Sequence, residues 1–241
     1  MNDASHAAAA PTSALQRGII FGILAFCFVL CQLLRSSLAV VAPEMVREVP
    51  LTPRDLGIIT STFFFAVAVM QIPSGMMFDR YGVRITAGIA LILGVVGGFV
   101  FSYGESFWAF TLGQFLLGVG TAPVFMGSIM VIGRWWEPAR FAAMSATMMS
   151  IGYLGNLFAT TPLAIAAELI GWRHSLAAVS VGLGVSTVLI LFVGRDAPPG
   201  HDWWKPRQPE SLRAVFGGVR EVLRHPIIPG LFAAAFIGYS T

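Results

Sequence analysis

Arg35 stands inside an apolar run, Gly18 to Val41, that holds no other charge. A guanidinium there costs on the order of 2.5–3.5 kcal/mol on the membrane-insertion scale and normally marks a water-filled pathway. If the helix continues past Pro43 to about Val49, Arg35 lies close to mid-membrane, with Gln32 and Ser36 on the same face. The planar five-donor fork of arginine suits bidentate capture of a carboxylate or phosphate, so the chemistry expected is binding of an anionic substrate. The competing reading is a guanidinium that snorkels to the interface or pairs with a carboxylate outside this chain. Gln71, Gln114 and Asn156 are further uncharged polar groups within apolar runs. They are candidates for the same cavity and equally for helix-to-helix hydrogen bonds.

The elements that carry these residues follow from composition. Of 241 residues 56% are hydrophobic and only 11% charged, against roughly 25% charged in a soluble domain. So little charge cannot cover a water-facing surface of this size, which predicts an all-α integral membrane protein. Charge-free runs of about 20 residues predict spans at Gly18 to Val41, Leu56 to Phe78, Ile85 to Tyr103, Phe107 to Ile132, Phe141 to Ala167 and Ser175 to Val193. No period of two runs through them, which argues against a barrel. A partial seventh span begins at Ile227 and reaches Thr241. The organisation expected is a disordered cytoplasmic tail over 1–16, a six-helix bundle over 17–193, a cytoplasmic loop over 194–226 and part of a seventh helix over 227–241. Ser211 can cap an amphipathic helix within that loop, lying on the inner leaflet.

With the N-terminus inside, 11 of the 15 Lys and Arg fall on the inner side, three (Arg47, Arg54, Arg173) on the outer, and Arg35 within a span. This positive-inside bias places the chain in a cell (inner or plasma) membrane with a cytoplasmic N-terminus and explains the basic balance without nucleic acid. The lipid bilayer is thus the first partner. Trp135, Trp136, Trp203 and Trp204 near inner ends, with Trp108 and Trp172 near outer ends, read as an aromatic belt. Cys27 and Cys31, one turn apart in an apolar run, read as packing residues, and Glu168 and His174 as a solvated connection. No metal-spaced cluster and no nucleophile with a base stands in the runs, so neither an enzyme nor a cofactor is expected.

Between the second and third runs stands Gly75-Met-Met-Phe-Asp79-Arg80-Tyr-Gly82-Val-Arg84. This loop resembles the signature of the major facilitator superfamily, and it sits where that family places it, with a long loop after the sixth run. The resemblance covers essentially the whole chain and implies a six-helix N-terminal bundle that rocks against a second bundle around a midplane site. It further implies a latch, in which Asp79 accepts bonds from Arg84 and faces a helix N-terminus of the other bundle until the inner side opens. The plainer reading makes Arg80 and Arg84 topogenic charges. Gly75, with Ser74, would allow close helix approach. The fourth run, Gly113-Gln114 to Gly118-Val-Gly120-Thr121-Ala122-Pro123, is similar to a second family motif with Gln114 where the family has an arginine. The fifth run, with Gly152, Gly155, Asn156 and Pro162, lacks the full glycine-proline motif of drug antiporters.

Leu34-Arg35 through Ala42-Pro43, Thr52-Pro-Arg-Asp-Leu-Gly57, Gln71-Ile-Pro-Ser-Gly75 and Arg134-Trp-Trp-Glu137 resemble two anion-transporting branches, the anion:cation symporters and the organophosphate:phosphate antiporters. The resemblance implies that Arg35 binds the negative group of the substrate. Leu34 and Thr121 stand where the symporters often carry carboxylates, which favours exchange or facilitated diffusion over proton symport. No arginine stands near Tyr239 to Thr241, where the antiporters have one. The function expected is alternating-access transport of a small organic or inorganic anion by this N-terminal half, completed by a second six-helix half or a second half-length chain. Two alternatives stay open: export of hydrophobic compounds, served by Phe63 to Phe65 and opposed by Arg35, and a non-transporting subunit or receptor.

Overall fold

The structure, a computed structural model, describes residues 14–198 and residue 230. The chain divides into two compact units, 1–203 and 204–241; apart from Gly230, the second lies outside the described residues. So do the expected tail through residue 13, the amphipathic loop helix and the partial seventh span. Among the described residues the elements are α1 (Ala14–Glu48), α2 (Pro53–Ser102), α3 (Phe107–Trp135), α4 (Pro138–Phe158), α5 (Thr161–Ile170) and α6 (Trp172–Phe192).

Five stretches are long and apolar enough to cross a membrane, α4 and α5 together forming one of them. The all-α membrane class read from composition is therefore the fold observed. Exposed apolar stripes agree with it: Ile85, Ile89, Ile92 and Val96 on α2 and Val181, Val185, Val188 and Phe192 on α6 recur at helical spacing on the outside. Water would not tolerate such contiguous faces on a monomer, whereas lipid requires them.

Helix ends follow local chemistry. α1 runs through Pro43 to Glu48. Thr52 caps α2: its hydroxyl accepts from Asp55 N while an Asp55 carboxylate oxygen accepts from Thr52 N, with Pro53 in the first turn. Ser106 caps α3 by accepting from Ala109 N. The fifth run, expected as one span, is broken between α4 and α5. Pro162 has no N–H to continue the ladder and disfavours helical geometry before it, and the Thr160 hydroxyl takes the Leu157 carbonyl instead, at 2.6 Å.

α2 is two arms. Gly82 lies at φ 81°, ψ 169°, a region essentially reserved for glycine. Phe63 and Gly94, 31 residues apart in sequence, would be about 46 Å apart along a straight helix. Both nevertheless abut neighbouring turns of α3: a Cβ at Gly118 would meet Phe63, and one at Gly120 would meet the Gly94 backbone. The chain therefore reverses at Gly82, where two separate runs were expected. Glycine and serine dominate the seams, with Gly97 against Leu116 and Leu117 and Gly98 against Ser180. Lipid offers no hydrophobic drive between helices, so small residues that let backbones approach hold the bundle instead. α1 packs on α4 by the same means, Gly152 meeting Phe28 and Gly155 meeting Val29 and Gln32.

Candidate substrate-binding site

Two neighbouring residues of α1 point 100° apart and reach different helices. The Arg35 guanidinium lies over the Phe64 ring of α2, 5.1 Å from its centroid. The Ser36 hydroxyl donates to Asn156 Oδ1 of α4 at 2.8 Å. Arg35 and Ala39 are exposed between these two contacts, so this face of α1 lies open between Phe64 and Asn156. Arg35 has no hydrogen-bonding or ion-pair partner among the described residues, and neither has the amide nitrogen of Asn156. The Arg35 fork is exposed, steadied by a ring face that attracts a cation without using its N–H donors. An oxyanion is the complement of such a group. Phe64 was legible only as part of an aromatic cluster; its register against Arg35 depends on how α1 and α2 pack.

The other candidates separate. Gln32 is half-buried at the α1–α4 seam, close to where a Cβ on Gly155 would sit. Gln71 is exposed two turns beyond Phe64 on the same face of α2. Gln114 is buried: it is 2% exposed, and its amide nitrogen has no partner among the described residues. It lies on the stretch of α3 whose flanking glycines draw α3 tightly onto α2, leaving no opening at that position.

At the Gly82 end, Arg84 of the signature loop is joined to the segment that follows α6. Asp79 and Arg80 are exposed, Arg80 lying over the adjacent Tyr81 ring at 5.1 Å. Arg84 donates from its backbone N to Asp196 Oδ1 and from Nε to the Leu191 carbonyl, both at 2.7 Å. Asp196, just beyond α6, thus caps the N–H groups left free where the second arm starts after Gly82. Arg134 lies in the electrostatic field of both Asp196 and Asp79, and the Trp135 indole donates to the Arg195 carbonyl. Among the described residues Gly75 is not a point of close approach, since a Cβ there would meet none of them within 4 Å; Ser74 is the buried member of the pair. Asp196 escaped the sequence reading because no spacing links residue 196 to residue 84.

Burial pushes the Asp196 carboxyl above the usual carboxylate range, against the opposing pull of the Arg84 N–H, the Arg134 charge, the Val83 N–H and the Arg84 charge. The folded chain therefore binds this proton more tightly than the unfolded chain. Its contribution to stability is complete below the ordinary aspartate range and is lost as pH rises through the raised value. Asp196→Asn is expected to flatten the dependence of the unfolding midpoint on pH between those two values. A profile as steep as that of the unsubstituted protein would place the titration elsewhere.

The sequence model of the Major Facilitator Superfamily matches residues 24–241. The chain belongs to that superfamily. Relatives of this facilitator chain include the "Probable sulfoacetate transporter SauU" of Cupriavidus necator, 26% identical over 86% of this chain and 48% of that protein. The "Probable galactarate/D-glucarate transporter GudP" of Escherichia coli is 27% identical over 75% and 41%. The "Membrane sensor protein UhpC" of Salmonella typhimurium is 28% identical over 70% and 40%. The chain spans about half the length of the curated relatives it matches.

At the opposite end of this facilitator bundle, near the α1–α2 loop, α6 is tied to α1 by contacts that sequence did not reveal. Arg173 pairs with Glu48 of α1 at 2.9 Å and donates to the Ser102 and Gly104 carbonyls at 3.0 and 2.7 Å. The Trp172 indole donates to the same Glu48 at 3.0 Å. Trp172 and Trp135, expected in an interfacial belt, are each 2% exposed. Both are core residues whose N–H finds a partner inside the bundle. Trp108, by contrast, is 76% exposed.

Proposed function

We propose that this facilitator chain forms one half of a secondary transporter for a small anion and that Arg35 binds the anion's negative group. The observation that carries the reading is the exposed Arg35 fork, without a hydrogen-bonding or ion-pair partner among the described residues, on the face of α1 between Phe64 of α2 and Asn156 of α4. Asn156, held by Ser36, supplies a second polar wall suited to a carboxylate or hydroxyl. Relatives named for sulfoacetate and for galactarate or glucarate support an acidic substrate. A hydrophobic compound would leave the Arg35 donors unsatisfied, which opposes drug export. We place the chain in the cell membrane with its N-terminus in the cytoplasm. A second six-helix half completes the cavity, and the two halves rock about Arg35. Arg84, Asp196, Arg134 and Asp79 form the contact that must rearrange when the Gly82 end opens.

Counterflow tests this reading. Vesicles holding the complete protein and loaded with unlabelled galactarate or sulfoacetate are expected to accumulate the labelled acid transiently. The relative named as a membrane sensor supports a second reading, a receptor that binds the anion without moving it. Saturable binding with no counterflow would establish that reading and exclude transport.

A further inference from the structure

Arg54, in the first turn of α2, is an exposed cation with no hydrogen-bonding or ion-pair partner among the described residues. The adjacent Asp55 carboxylate acts on it through its field but makes no ion pair with it, bonding instead the backbone N and the hydroxyl of Thr52 at 2.8 and 2.7 Å. The helix N-terminus is likewise occupied by that capping box, so the anion affinity at this point belongs to the guanidinium. Arg54, Gly57, Ser61, Thr62 and Phe65 line an open cavity of about 360 Å³ on the exposed face of α2. Ser61 follows Arg54 by seven residues and so lies on the same face, about 10 Å further along the helix. Its hydroxyl too is without a partner among the described residues. Phe64, which carries the Arg35 guanidinium, follows three residues later.

We propose that Arg54 and Ser61 form an entry station for the anion, on the side of Arg35 toward the α1–α2 loop. This rests on the reading of Arg35 as the anion site. Arg54 and Phe64 are about 15 Å apart along α2, too far for one small acid to bridge, so the two arginines hold the anion in succession. A guanidinium at the mouth raises the local anion concentration and the capture rate, an effect that salt screens. The inner step depends on the direct contact at Arg35 and is far less sensitive to salt.

The test measures initial uptake of labelled galactarate and sulfoacetate by the complete protein in vesicles. Ionic strength runs from about 20 mM to about 500 mM, over which the Debye length falls from roughly 20 Å to roughly 4 Å. Arg54→Gln is expected to lower kcat/KM about five-fold at low salt with kcat unchanged, and to converge on the unsubstituted protein at high salt. Arg54→Lys keeps the charge and retains the rate. Equal rates for Arg54→Gln and the unsubstituted protein at low salt would overturn the proposal. So would a fall in kcat indifferent to salt, which marks a structural role. If Arg35→Ala loses uptake while Arg54→Gln does not, the entry station alone is rejected. Undiminished uptake by Arg35→Ala, or no uptake of either acid by the unsubstituted protein, rejects the anion-site reading and the entry station with it.

Discussion

Arg35→Ala is expected to abolish anion uptake while leaving the bundle folded. The guanidinium makes no hydrogen bond to the described residues and rests on the Phe64 ring, a contact contributing about 0.5–1 kcal/mol at an exposed site. Its removal should therefore shift the unfolding midpoint little. Uptake responds differently, since a bidentate anion loses two charge-assisted hydrogen bonds at roughly 1.5–3 kcal/mol each, a drop of more than about 100-fold. Arg35→Lys keeps the charge but not the fork and is expected to fall between, about ten-fold down. Initial rates of galactarate and sulfoacetate uptake, paired with thermal unfolding in nanodiscs, separate the two effects. Unchanged rate and affinity in Arg35→Ala would count decisively against the site.

Gly155→Val is expected to have the largest effect on stability. The buried residues of α4 are Met148, Gly152 and Gly155, so its attachment to α1 depends on a narrow seam. A Cβ at Gly155 would run into the Val29 carbonyl and lie 2.9 Å from the Gln32 Cβ. The first obstacle is backbone, which has no rotamer to change. Overpacking of a tight site costs about 1–3 kcal/mol, and here the upper end or beyond is expected, a fall in unfolding midpoint of about 6–12 °C. Separating α1 from α4 also breaks the bond between Ser36 and Asn156, so uptake falls with stability. Gly75→Val is the matched control, because the same addition there meets nothing within 4 Å. Equal losses in the two variants would mean that helix propensity, and not the seam, decides the outcome.

How much of this was legible from residues alone depended on whether the signal was local. Low charge and long apolar runs implied lipid-spanning helices whatever their arrangement, because unpaired backbone polar groups are too costly in hydrocarbon. Arg35 stood out for the same reason, as did the reversal at Gly82, which coincides with a cluster of charges between two runs. The break before Pro162 was locally encoded and passed over, since hydropathy alone cannot see a missing N–H. The partners of these elements were not encoded locally. A helix apolar on every side carries no pattern to say which side meets lipid and which meets another helix. Gln114 could therefore be read as lining a cavity when it is buried, and Trp172 as an interfacial anchor when its indole bonds Glu48. Asp196 over Arg84, Arg173 on Glu48 and Phe64 under Arg35 join residues distant in sequence. Sequence by itself determined the membrane class, the apolar helical runs and the one charge that stands inside a run. Only the tertiary structure decided which polar groups are buried against a neighbouring helix and which stay exposed, because that choice is made where glycines let particular helices touch.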